Sequence, residues 1–331
     1  MLATLRNIFN PSAVVQTMKT MTPLETTILD TFFKQRPTHP SPLIGVSDLT
    51  TVTRTVPLVR RDGTPVSLDG DGYEAQFIAP LPVKVKVNVS ASELNDLQAM
   101  LQSPQAVEAW RRNKIDKIRT TARDTTEGVA TVVLNTGKVS WPVQLEGGRT
   151  EAYEVDYGPI HTYTPLALIT ADSKPSELYR LLREMELKIK QSGIGGKVEF
   201  YAGSDVTAVL LDFADKRVTT TDEKTIRVKL GDGYVEVGKY KIHFMDETYP
   251  EPLKGEWLPK IEPKALFAVA VDQPGTVWYC AIDSISANNA ATPLHVVPVA
   301  RDDDSGITLI GQTKPLPART SKATCKAIVV D

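Results

Sequence analysis

The residue types that do chemistry are scarce in this chain, and their spacing works against them. His39, His161, His243 and His295 are the only histidines, and none stands in a two-histidine metal spacing such as His-Glu-x-x-His. Cys280 and Cys325 are the only cysteines. Two are too few for a secreted disulfide framework and lack metal-ligand spacing, which points to a reducing compartment. Asp69-Gly70-Asp71-Gly72 looks like part of a calcium loop, but the bidentate glutamate is absent from Ile78, Ala79 and Pro80, so a tight turn is expected. The run Arg301-Asp302-Asp303-Asp304-Ser305-Gly306 reads as a solvated turn ahead of a divalent-ion site. Gly193-Ile194-Gly195-Gly196 precedes a strand instead of opening a helix, the wrong context for cradling a phosphate. No nucleophile elbow or P-loop is present, so a non-catalytic protein without metal or cofactor is expected. The alternative is an enzyme with its site in residues 161–285, using for example His243 and Asp246.

Fixed charge is the chemistry that remains. Arg111, Arg112, Lys114, Lys117, Arg119 and Arg123 crowd one helical segment, with Glu108, Asp116 and Asp124 interspersed. Two readings stay open for this basic face. It is a solvated surface laced with ion pairs, or it lies near a polyanion or the acidic residues of a neighbouring subunit. A formal net charge of −2 gives no global attraction to nucleic acid or an anionic membrane, so any DNA contact is local and non-specific. No run of about 18 apolar residues exists to span a membrane.

The positioning elements are α+β. Met1 to Pro23 carries Arg6 and Lys19 and no acid, a superficial likeness to a transit peptide; an arm that docks on a neighbour or stays mobile is preferred. Thr22-Pro23-Leu24-Glu25 predicts a helix start, with Leu24, Ile28, Leu29, Phe32 and Phe33 as its apolar face. Leu49 to Ser90 then reads as a β-ribbon with no helix to cover it. Thr51 to Val56 alternates, as do Val83, Val85, Val87 and Val89, with turns between at Arg60-Arg61-Asp62-Gly63 and Asp69-Gly70-Asp71-Gly72. Such a ribbon is expected to bury itself on another molecule.

Ser90 and Glu93 predict a short helix with Leu94, Leu97 and Leu101 inward. Ser103-Pro104 opens a long one. Val107, Trp110, Ile118, Ala122, Thr125, Val129 and Val132 keep one stripe until Asn135-Thr136-Gly137. A strand pair flanks Glu146-Gly147-Gly148. Further helices are expected over Pro175–Gln191 and from Ser204 or Asp205 through Ala208, Leu211 and Phe213, then an antiparallel meander over 225–244. Strands near 265, 277, 295, 308 and 325 complete the chain, the last returning to the sheet beside the long helix.

The order of these parts resembles the major capsid protein E family of tailed phages. The residues that carry the resemblance are Asp30-Thr31-Phe32-Phe33, Val56-Pro57-Leu58-Val59-Arg60-Arg61-Asp62-Gly63, Phe77-Ile78-Ala79-Pro80, Leu134-Asn135-Thr136-Gly137-Lys138 and Val155-Asp156-Tyr157-Gly158. Phe200-Tyr201-Ala202-Gly203, Pro263-Lys264-Ala265-Leu266 and Gln312-Thr313-Lys314-Pro315-Leu316-Pro317 continue it. The resemblance implies the Hong Kong 97 type capsid fold. It implies an N-terminal arm and helix (1–48), an extended E-loop (49–90), a peripheral domain with a spine helix (91–160 plus 286–331) and an axial domain (161–285). The implied function is self-assembly, as hexamers and pentamers, into the icosahedral head shell of a tailed double-stranded DNA phage. That places the chain in the virion, after assembly in the host bacterial cytoplasm. Implied partners are copies of itself, packaged DNA, a portal, possible decoration and, since no long acidic prefix serves as scaffold, a separate scaffolding protein with no N-terminal processing. An encapsulin-like shell around protein cargo is the runner-up.

Some relatives weld subunits through an E-loop lysine, but residues 50–80 hold Arg54, Arg60 and Arg61 and no lysine. Noncovalent contact is expected instead, through Arg54, Arg60, Arg61, Asp62 and Tyr73 of the ribbon, with Arg111, Arg112, Lys114 and Arg119 as the basic face of the spine helix.

Overall fold

The computed structural model describes residues 2–45, 77–218, 226–301 and 305–331. Its helices among these residues are α1 (Leu2–Ile8), α2 (Pro11–Thr20), α3 (Thr27–Phe32), α4 (Ala91–Met100), α5 (Pro104–Thr136), α6 (Pro175–Gln191) and α7 (Ser204–Val218). Several begin on the residues that can accept their free N–H groups. Asn10 Oδ1 accepts from Ala13 N at 2.7 Å and Ser90 Oγ from Glu93 N at 3.3 Å. Ser103 Oγ does the same for Ala106 N at 3.4 Å, with Pro104 in the first turn of α5. That helix runs for 33 residues, about 50 Å, and stops at Gly137 with φ +77°. A Cβ on Gly137 would lie 2.2 Å from the Gly158 carbonyl oxygen, so both the handedness and the close approach require glycine.

The central sheet runs His161–Thr162, Thr324–Ile328, Ala265–Ala270, Val198–Ala202, Tyr240–Phe244, Tyr234–Val237 and Val228–Gly231. Successive side chains point to opposite faces, and both faces are covered. Phe200, Leu266, Ala268 and Ala327 pack with Leu182, Met185 and Ile189 of α6 and Leu210 and Phe213 of α7. Tyr201, Ala265, Phe267 and Val269 face the other way, onto Ile28, Phe32 and Phe33 of α3 and its flank and onto Ala130, Val133 and Leu134 of α5. Ala265–Ala270 is buried at all six positions.

A second sheet orders His295–Ala300, Gly306–Thr313 and Val83–Ser90, and packs on the first half of α5. Trp257–Pro259 and Thr248–Pro250 form one exposed hairpin, and Lys138–Gln144 and Thr150–Asp156 another, turned at Gly147 and Gly148.

The structure corrects several expectations, each through a long-range contact. The arm neither stays mobile nor waits for a neighbour. Leu5, Phe9 and Val14 are buried against Ile115, Ile118, Val296 and Leu309 of the same chain, and such side chains contribute about 1.5–3 kcal/mol each. The third helix starts at Thr27, since Thr26 N and Oγ1 donate to Asp30 Oδ2 at 2.7 and 3.2 Å and leave Thr22 and Glu25 outside it. Val83–Ser90, taken as an uncovered ribbon limb, pairs residue for residue with Gly306–Thr313 and buries Val89 on α5. The C-terminal strand lies in the central sheet, one face of which packs on the second half of α5. The helix expected through Ala208, Leu211 and Phe213 is present as α7, whose buried apolar residues include Val206, Leu210, Phe213 and Ala214, with Ala208 and Leu211 exposed.

One polar cluster couples the central domain to pH. On α6 the Glu186 carboxylate, 11% exposed, pairs with Lys190 and Lys239 and accepts from Tyr240 Oη at 2.6 Å. Burial opposes its charge, yet these donors bring its pKa from 4.5 to about 2. A depressed carboxylate contributes stability that is complete above about pH 4.5 and disappears as the pH falls toward 2. Glu186→Gln is therefore expected to lose about 1–2 kcal/mol at pH 7, because solvent screens the exposed Lys190 and Lys239 partners. In urea titrations the gap from wild type should narrow as the pH drops through that window. A constant gap would assign the loss to packing.

Candidate assembly surface

The contact residues expected on the ribbon, Arg54, Arg60, Arg61, Asp62 and Tyr73, lie outside the described residues, as do the turns at Asp69–Gly72 and Asp302–Asp304. The strands on either side of those ribbon residues are described. Ile44 and Gly45 pair antiparallel with Ile78 and Phe77, so the chain leaves and returns side by side. Ile44 is fully buried, whereas Phe77 is 65% exposed at the outer end of the stem. Tyr153 Oη fixes the return by donating to the Ala79 carbonyl at 3.1 Å. Beside it an apolar groove of about 350 Å³ runs between Leu81, Pro82, Trp141, Pro142, Pro315 and Pro317. The Trp141 ring reaches the groove across Gly128, where a Cβ would stand 2.6 Å from the indole.

The basic face of α5 turns inward on the chain's own N-terminus. Arg111 donates to the Ile8 carbonyl at 3.3 Å and pairs with Glu108; Arg112 donates to Thr20 Oγ1 at 3.0 Å. Lys114 is 8% exposed, bonds Glu93 at 2.5 Å and lies over the Trp110 ring. Arg119 bonds Asp116 and Arg123 bonds Asp30, both at 2.8 Å. The sequence spacing brought these residues to one helix, but it gave no sign that α1, α2 and α4 would supply much of their pairing.

Across α5 from the groove lies an acidic cleft of about 670 Å³, bordered by Glu25, Asp30, Asp124, Glu247 and the exposed Trp257. Its floor is a buried ion cluster. Glu127, 3% exposed, accepts from Ile28 N at 2.8 Å and Leu29 N at 2.9 Å, and so caps α3 from another helix. Lys260 bridges Glu127 at 2.8 Å and Glu247 at 2.6 Å. Burial works against the Lys260 charge, but the two carboxylates raise its pKa. Burial likewise opposes Glu247, whose pKa is held down by Lys260 and Thr27, while burial and the neighbouring Glu127 push Asp124 up. Glu127, Glu247 and Lys260 had no place among the candidate residues. Glu127, a charged residue directly before the apolar run Gly128-Val129-Ala130 of the long helix, was the available signal.

Of the residues named for an alternative enzyme site, His243 lies on the Tyr240–Phe244 strand of the central sheet. His243 stacks on Tyr201 with ring centroids 5.3 Å apart, its Nε2 is 4.0 Å from Glu199, and burial lowers its pKa. Among the described residues, no group of three or more His, Cys, Asp or Glu side chains is arranged to hold a metal ion, and no helix is long and apolar enough to cross a membrane.

Among the described residues, segments that carry the family resemblance converge on one junction. Phe32, Phe33, Leu134, Val155, Tyr201, Ala265 and Leu316 share a single buried cluster. Tyr157 N donates to the Gly137 carbonyl and Tyr157 Oη to the Pro317 carbonyl, both at 3.0 Å, and Gly203 N donates to the Ala265 carbonyl at 3.0 Å. Arg319, 5% exposed, ties the junction by donating to the Phe32 carbonyl at 3.0 Å and the Ala270 carbonyl at 2.8 Å, and burial lowers its pKa to about 10.

This arrangement is similar to a protein assigned as a prophage capsid protein of E. coli CFT073. The two share 16% identity over 99% of each chain, with a TM-score of 0.58. A phage-related protein from Bordetella bronchiseptica RB50 aligns at 12% identity over 96% of this chain and 95% of its own, TM-score 0.47. The SrpI encapsulin of Synechococcus elongatus PCC 7942 aligns at 13% identity over 86% and 94%, TM-score 0.42. No curated protein matches the chain. The fold is the Hong Kong 97 type capsid fold. Residues 10–329 match the family of phage major capsid protein E, and the chain belongs to that family.

Proposed function

We propose that this chain assembles, as hexamers and pentamers of itself, into the icosahedral head shell of a tailed phage that encloses double-stranded DNA. Membership of nearly the whole chain in a major capsid protein family carries the reading. The role is structural and not catalytic. Residues 46–76 on their paired stem act as the E-loop, with Arg54, Arg60, Arg61, Asp62 and Tyr73 meeting a neighbour. The axial domain spans about 161–285, and the peripheral domain is built on α5. Arg111, Arg112 and Lys114 serve this design by holding the arm and α4 to the spine, and Arg119 pairs with Asp116 along the spine itself. A separate scaffolding protein, a portal and possible decoration complete the head in the bacterial cytoplasm. Large exposed apolar side chains at Phe77, Leu166, Leu253, Trp257 and Ile285 support burial between copies.

Electron microscopy and sedimentation of the expressed chain, followed by nuclease protection on particles from phage-producing cells, test this. Closed shells protecting DNA are expected. A small stable oligomer under all conditions would overturn the reading, and shells holding protein without nucleic acid would move it to a cargo compartment.

A further inference from the structure

A third cavity, of about 270 Å³, opens where the arm, α5 and the segment after α3 meet. Its walls are of two kinds. Met18, Pro23, Leu24 and Pro293 are apolar, whereas Arg36, Arg119 and Arg123 line the rest. Three guanidinium groups share two carboxylates, because Asp30 serves both Arg36 and Arg123 and Asp116 serves Arg119. Nε of Arg119, Nε of Arg123 and Oγ1 of Thr313, a residue only 2% exposed, are buried without a hydrogen-bond partner. Arg119 and Arg123 are half-buried and Arg36 is exposed, and three guanidinium groups against two carboxylates leave donors for one more carboxylate from outside.

The opposite chemistry projects elsewhere on the molecule. In the hairpin of Thr248–Pro250 and Trp257–Pro259, the tip is closed by Glu251 N to the Glu256 carbonyl at 2.7 Å and Gly255 N to the Glu251 carbonyl at 3.0 Å. It presents Leu253, 56% exposed, and Trp257, 68% exposed, on either side of the exposed Glu256. The tip carries Glu251 and Glu256 against Lys254 alone, a net charge opposite to that of the cavity.

We propose that the Glu251–Trp257 tip of one copy docks in the arginine cavity of a second copy, with Glu256 as the missing carboxylate and Leu253 and Trp257 on the apolar walls. Tip and cavity are different surfaces, so the contact is head-to-tail, the kind that closes rings. Arginine also stacks favourably on an indole face. DNA phosphates would match the guanidinium groups but leave Met18, Pro23, Leu24 and Pro293 without an apolar partner.

The proposal rests on the shell reading, and wild-type protein in the same experiment separates the two. If wild type forms no particles, the shell reading falls. Arg36→Glu, Glu256→Arg and the double variant are compared by sedimentation, alongside melting of the free subunits. Each single reversal should reduce particles at least about tenfold. Glu256→Arg changes an exposed side chain, so its melting temperature should stay at the wild-type value. The double variant should recover to within about threefold of wild type. Either single variant assembling normally while folded would overturn the proposal, as would a double variant no better than the singles. Normal shells that lose only DNA would assign the cavity to phosphate and overturn it as well.

Discussion

Deleting Arg60 to Tyr73 and closing the gap with Asn-Gly is expected to abolish shells while leaving a folded subunit. The stem explains why the subunit survives. Ile44 and Gly45 pair with Ile78 and Phe77 outside the deleted residues, so the deletion leaves that pairing in place. The three hydrophobic clusters described above are filled from residues on either side of the deletion. The melting temperature should therefore move by no more than about 3 °C, the equivalent of roughly 1 kcal/mol or a little more. Assembly responds far more steeply, because each subunit of a closed shell engages several neighbours at once and the lost contact recurs in every copy. Particle yield by sedimentation should fall about 100-fold or more, since linked contacts multiply. Collapse of the subunit's own melting transition would show that the ribbon packs within its chain, and undiminished shells would show that it makes no contact that matters.

Glu127→Ala carries the largest expected loss of subunit stability. The substitution removes the acceptor of Ile28 N and Leu29 N and leaves Lys260, 7% exposed, with Glu247 alone. Breaking a buried pair from one side costs about 3–5 kcal/mol, more than the intact pair contributes, because the remaining charge stays desolvated. Thermal melting should drop by roughly 10 °C at this chain length. Combining it with Lys260→Met removes the stranded cation and should recover part of the loss, a coupling that a double-mutant cycle reads directly. Wild-type melting of the single variant would mean that α3 finds another cap.

Legibility in the sequence divides along contact range. The ends of α5 and the apolar face of α6 follow from capping residues, Gly137 and a 3.6-residue period, all of which act within a turn or two. The hairpin over Lys138–Asp156 is equally local. The pairing of Val83–Ser90 with Gly306–Thr313 joins segments over 200 residues apart, and an alternating strand carries no label for its partner. Arg111 and Lys114 had charge and spacing on display, but their partners Ile8 and Glu93 lie on other helices. Thr22-Pro23-Leu24-Glu25 is a genuine helix-start pattern that lost to a tertiary cap. Glu127 bonds the amides of Ile28 and Leu29, and no local rule could anticipate that. The weak resemblance segments told more together than singly because they meet at one junction, where Tyr157, Gly137 and Pro317 interlock.

The placement of Thr324–Ile328 bears on the fidelity of manufacture. This strand sits between His161–Thr162 and Ala265–Ala270, and Cys325 and Ala327 complete the cluster packed by α6. A ribosome has already made every other strand of that sheet before it reaches Thr324. Until then the apolar run Ala-Leu-Phe-Ala-Val-Ala has an unpaired edge, a state prone to aggregation and to chaperone capture. A prematurely terminated chain thus lacks the piece that closes its core and is handed to proteases. Closure of the central sheet thus waits on Thr324–Ile328, and a chain cut short before Thr324 leaves Ala265–Ala270 with an open edge.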